Sequence, residues 1–225
     1  MSKKNARWRK LDNAAKLYSA ASNKKDTRVF RFYCELKEEV NPKALQEALN
    51  QTIETFPTFL MVLRKGFFWH YLEPCNLRPI VKEEYKEPCS RLYIRDKKTL
   101  LFEVTYYKKR INFEVFHVLT DGTGATEFLK ELVKNYLYLV HKEEGLEQIT
   151  LLPEDMTVQD QEDDSFLKYY SKNQKRPKKR KLNAFQIRRK KKDGNHLHVH
   201  ESVVSVQAVL KRSRELGVSM TIFLT

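Results

Sequence analysis

The stretch Phe113-Glu114-Val115-Phe116-His117-Val118-Leu119-Thr120-Asp121-Gly122 decides how this chain is read. Ile111, Phe113, Val115 and His117 alternate, the period of a strand with one face in a core. After Gly122-Thr123-Gly124, the residues Ala125, Phe128, Leu129, Leu132, Val133, Tyr136, Leu137 and Val140 recur at helical spacing. A strand end and a helix start therefore meet here, with His117 on one and Asp121 on the other. Such a junction lifts a side chain to the rim of a sheet. A neutral imidazole there can take a proton from a hydroxyl, amine or thiol as that group attacks an acyl carbonyl. The plainer alternatives are a core histidine satisfied by a backbone carbonyl and an aspartate that caps the helix. Gly122 and Gly124 can serve the tight turn alone.

Working outward, Trp8, Leu11, Ala15 and Tyr18 give a short amphipathic lead-in over Arg7 to Ala21. Arg28 to Leu36 alternates as a strand, with Phe30, Phe32, Cys34 and Leu36 on one face. Asn41-Pro42 opens a helix, cap followed by first-turn proline, and Phe56-Pro57 stops it. Phe59 to Leu63 and Phe67 to Leu72 flank Arg64-Lys65-Gly66 as a hairpin. Arg91 to Ile94, Leu100 to Tyr107 and Ile111 to His117 read as strands, the last two joined at Lys108-Lys109-Arg110. Periodicity fades from Glu143. It returns as an alternating strand over His196 to Val204 and a helix from Val206 to Leu216, capped by Ser205 and closed by Gly217. Ser219 then caps the start of another helix. The reading is an α/β (α+β sandwich) chain with a mixed sheet and helices packed on one side. Residues 1–142 form the first lobe, 143–194 a charged connection, and 195–225 the start of a second lobe.

Charge is concentrated. Of the net +14, the stretch from Lys172 to Asp193 holds +11, and the rest of the chain holds +3. This basic run could meet phosphate backbones. With Phe185 its single aromatic, a solvated loop is the simpler account. The chain has no apolar run of about 18 residues and no apolar signal core near its start, so neither a membrane span nor secretion is expected. Cys34, Cys75 and Cys89 form no close-spaced metal pair and are read as reduced thiols of a cytoplasmic protein. His196, His198 and His200 alternate on one strand face, but no further ligand is obvious near them, and no metal is expected.

Phe116 to Gly124 resembles the His-x-x-x-Asp-Gly motif of the superfamily that includes chloramphenicol acetyltransferase, the condensation domains of peptide synthetases and the plant BAHD acyltransferases. Within it the chain looks most like bacterial alcohol acetyltransferase-like proteins. The segments that carry this are Trp8 to Lys16, Asn41-Pro42-Lys43-Ala44-Leu45, Gly66 to Glu73, and the motif with its following helix; a fainter match runs from His196. The resemblance implies a two-lobed protein about twice this long, with the reaction in a tunnel between lobes. On that pattern His117 is the general base, Asp121 has an orienting role and Gly122 completes the motif. The expected reaction moves an acyl group from a coenzyme A thioester to an alcohol or amine, with no resident cofactor. Condensation domains often carry a second histidine where Phe116 stands, which points away from peptide-bond synthesis. The opposing lobe, or a partner chain supplying it, is expected beyond these residues. A binding protein of the same fold without chemistry and a nucleic-acid binder working through 172–192 are the alternatives.

Overall fold

The structure, a computed structural model, describes residues 8–23, 25–67, 69–142 and 201–224. It divides into two compact units, Met1–Asn195 and His196–Thr225. In the first, β1 (Arg9–Lys10) leads into α1 (Asn13–Ala21), followed by β2 (Val29–Glu35) and α2 (Pro42–Thr55). Then come β3 (Met61–Lys65), β4 (His70–Pro74), β5 (Lys82–Glu83), β6 (Phe102–Tyr107), β7 (Arg110–Phe116) and α3 (Gly122–Val140). The second unit holds α4 (Val206–Glu215) and α5 (Met220–Leu224).

Each long helix starts where a short polar side chain can satisfy its free N–H groups. Asp12 accepts from Ala15 N–H at 2.6 Å, and Asn41 from Lys43 and Ala44 at 3.0 and 3.2 Å, with Pro42 just inside. Asp121 accepts from Gly124 N–H at 2.9 Å, and Ser205 from Ala208 N–H at 3.4 Å. Gly217, at φ +66, follows the end of α4 in the left-handed conformation that a glycine takes at least cost.

Two sheets form. One has the order β1-β4-β3 and is antiparallel. The other has the order β2-β7-β6-β5 and is mixed, because β5 runs parallel to β6. Its register aligns Phe32, Phe113 and Val104 across three strands, with Phe30, Val115 and Phe102 one rung away. This apolar face takes the helices. Phe128 of α3 stacks on Phe113 at 4.7 Å, and Phe59 stacks on Phe128 at 4.4 Å. Burying a ring of this size stabilises by about 1.5–3 kcal/mol. α2 and α3 lie together, tied by Asn135 Nδ2 donating to Thr52 Oγ1 (3.1 Å) and Asn41 N–H donating to the Tyr136 hydroxyl (2.9 Å).

The opposite face of β7 is also buried, although it is polar. Glu114 Oε1 accepts from Arg31 Nε at 2.8 Å and from Cys89 N–H at 2.6 Å, and Arg31 Nη1 reaches Glu84 at 2.5 Å. The irregular segment between β5 and β6 passes over this face. This segment contains Arg91 to Ile94, which do not form the strand that their composition suggests. Left-handed Cys89 (φ 57) and Asp96 (φ 65) bracket them, and Tyr93 lies flat against Phe116 at 6.2 Å. Leu92 and Tyr93 turn inward rather than extend a sheet edge, while Ile94 stays exposed.

Three other boundaries differ from the sequence reading. The first hairpin turns at Gly66–Trp69, where Gly66 N–H donates to Trp69 O at 2.7 Å, later than Arg64-Lys65-Gly66. Leu63 pairs with Leu72 in that register, so both are buried together and Trp69 is left exposed in the turn. Phe59 belongs to a short 3-10 turn, Pro57–Phe59, that turns its ring into the core. The second hairpin turns at Lys108-Lys109, with Lys108 at φ 50 and Arg110 already paired with Tyr107. Of the strand expected over His196 to Val204, residues 196–200 lie outside the described residues and 201–204 carry no regular structure. Among the described residues, no helix is long and apolar enough to cross a membrane. The segment 143–194, with its basic run, lies outside the described residues.

Candidate active site

His117 is the first residue past β7. Its backbone N–H still donates to Arg28 O at 3.0 Å, so the rung that closes the sheet also places the histidine. Arg28 accepts that bond from a left-handed conformation (φ 55), held by Asp26, whose carboxylate takes the Arg28 N–H and pairs with its guanidinium at 3.0 Å. The chain then turns at once, Leu119 N–H donating to Phe116 O at 2.8 Å, while Val118 and Leu119 are buried. Their burial leaves His117 half-exposed at the sheet rim.

The imidazole is held on several sides. The ring of Tyr18, from α1, stacks on it with centroids 4.4 Å apart and planes 15° from parallel. Phe30, from β2, lies 4.2 Å away and tilted by 38°. The Thr120 backbone lies near enough to the ring to act on its protonation. Burial lowers its pKa below the ordinary histidine value, the Thr120 backbone and Asp121 work the other way, and Arg28 reinforces the lowering. The net effect favours neutral imidazole at pH 7.

The structure separates the two residues that the spacing paired. Asp121 caps α3 through Gly124 N–H, and its effect on His117 acts through space. The imidazole is flanked instead by the rings of Tyr18 and Phe30. Gly122 opens α3, and a Cβ there would find only Phe32 Cζ, at 4.0 Å. At Gly124 the added Cβ would collide with Thr120 Oγ1. The tighter of the two positions is therefore Gly124, outside the motif, where the Thr120 hydroxyl would have to turn aside. Sequence reasoning left Tyr18, Phe30, Arg28 and Thr120 out of the site. Tyr18 and Phe30 were read as ordinary members of apolar rows, and only the fold brings those rows to His117.

Elsewhere, Cys34, Cys75 and Cys89 are free thiols, each with its pKa raised by burial and so held as the less reactive thiol. His196, His198 and His200 lie outside the described residues.

No protein-family model and no curated protein matches the sequence. Among solved structures, the chain is similar to the starter condensation domain of the rhizomide synthetase RzmA: TM-score 0.51, 13% identity, 64% of this chain and 40% of that chain. A variant of that domain in complex with C8-CoA gives TM-score 0.51 at 14% identity, over 64% of this chain and 38% of that one. The first condensation domain of the calcium-dependent antibiotic synthetase, in complex with substrate analogue 3a, gives 0.50 at 13%, over 65% and 42%. The chain spans about two fifths of the length of these structures. At such identities the likeness is one of fold, and over about two thirds of its length this chain has the α/β fold of condensation domains.

Proposed function

We propose that this chain is the histidine-bearing lobe of an acyltransferase that moves an acyl group, acetyl in the simplest case, from a coenzyme A thioester to an alcohol or amine. The observation that carries the reading is His117 itself. It stands half-buried at a sheet rim between the Tyr18 and Phe30 rings, where burial favours the neutral imidazole. That is the state a general base needs near neutral pH. The RzmA domain variant of the same fold, solved in complex with C8-CoA, supports the thioester as donor class. Residues 1–142 are the lobe, 143–194 the charged connection, and 195–225 the beginning of the opposing lobe or of what docks a partner chain.

In the step proposed, the free nitrogen of His117 removes the proton from the acceptor O–H or N–H as that atom attacks the thioester carbonyl. The tetrahedral intermediate collapses with cleavage of the C–S bond. The departing thiolate takes the proton back from the imidazolium, leaving ester or amide, free thiol and neutral His117. The thioester is already activated, so neither a metal nor a covalent enzyme intermediate is required. Asp121 serves the reaction by capping α3 and so holding the turn that presents His117.

The test is acyl transfer from acetyl- and octanoyl-coenzyme A by the full reading frame. His117→Ala should lower turnover by about 10²–10⁴-fold, the usual contribution of a positioned general base. Unchanged turnover would remove His117 from the mechanism. Ligand binding without turnover by the wild type would favour a binding protein of the same fold.

A further inference from the structure

We propose that Tyr18 is a positioning residue for His117, fixing the plane of the imidazole so that its free nitrogen stays aimed at the acceptor. The chemistry rests on the acyl-transfer reading above, but the geometry does not. An imidazole turns about two side-chain torsions. The backbone bond to Arg28 O that places His117 leaves its ring free to swing about both. The near-parallel Tyr18 ring at 4.4 Å removes the swing, and tilted Phe30 closes a second approach.

Tyr18 is suited to this task by its own element. Asp12 caps α1, and Leu11 and Ala15 anchor it in the core, so the ring on its following turn is presented from a fixed support. Tyr18 is only half-buried, so the core does not need its bulk as it needs Phe113 or Phe128. The groups that bear on the imidazole are Tyr18 from α1, Arg28 before β2, and Thr120 and Asp121 before α3. Arg28 and Asp121 act in opposite senses, and burial outweighs both. A stacked ring is part of that burial, since it keeps water from one face of the imidazole.

The test uses the full chain, with the His117 imidazole resonances assigned by loss in His117→Asn. In Tyr18→Ala the His117 titration should move up toward the ordinary histidine value as water reaches the ring. Tyr18→Phe should titrate as wild type, because the stack needs the ring and not the hydroxyl. Tyr18→Leu restores apolar volume without a flat ring. It should melt as wild type yet lower kcat by about tenfold to a hundredfold, with little change in KM, as expected for a base held at the wrong angle. Wild-type titration and kcat in both Tyr18→Ala and Tyr18→Leu would overturn the proposal. So would loss of fold in both, which would make Tyr18 structural. Absence of turnover in the wild type would defeat the acyl-transfer reading, while the titration would still decide the role of Tyr18.

Discussion

Gly122 and Gly124 stand two residues apart and obey different constraints. A methyl group at Gly122 enters open space, whereas one at Gly124 meets the Thr120 hydroxyl. Gly124→Ala should therefore destabilise by about 1–3 kcal/mol, the usual cost of overpacking. Gly122→Ala should stay within about 0.5 kcal/mol. Urea denaturation of the two variants checks the contrast, and equal losses would contradict the placement of Thr120. At this scale the sequence revealed which residue types were present but not which one carried the constraint. The motif pointed to Gly122, while the clash belongs to a neighbour that no pattern includes. Likewise, the sequence offered Asp121 both as a cap of the helix and, through the resemblance, as an orienting residue. The chain turns so sharply after β7 that the carboxylate reaches the helix N–H groups first.

β2 and β7 are joined by an ion pair as well as by their ladder. Glu114 is almost fully buried beneath the segment between β5 and β6, and it accepts from Arg31 and from the backbone of Cys89. Its removal leaves Arg31 with Glu84 alone and leaves a buried amide without its acceptor. Breaking such a pair from one side costs about 3–5 kcal/mol. Glu114→Ala should lose stability on that scale in chemical denaturation, and Glu114→Gln, which can still accept from Cys89, should lose less. A wild-type midpoint for Glu114→Ala would show that the carboxylate is not bound as described. The helix starts at Asn41, Asp121 and Ser205 were legible at this scale, because each cap acts on residues within three positions, whereas the cap at Asp12 was missed inside the lead-in read over Arg7 to Ala21. Arg91 to Ile94 were not, because a short apolar run looks the same in a strand as in a segment laid over a sheet face.

At the scale of the molecule, among the described residues every buried member of the main core falls between Leu11 and Tyr136. A fragment of residues 1–142 should therefore unfold as one cooperative transition, with fluorescence and circular dichroism coinciding. Non-coincident transitions would show that the core draws on residues after 142. What the sequence determined by itself was local and periodic: the helices with their caps, the strands around His117, and the histidine placed where a strand gives way to a helix. These follow from hydrogen bonds and side-chain periods within a few residues of each other. What only the tertiary structure decided was the surroundings of that histidine. Tyr18 and Phe30 reach it because α1 and β2 pack beside the end of β7. Their contacts form between distant parts of the chain, and no local period encodes them. The same packing lowers the pKa of the imidazole, because desolvation depends on everything that surrounds a group rather than on its neighbours in sequence.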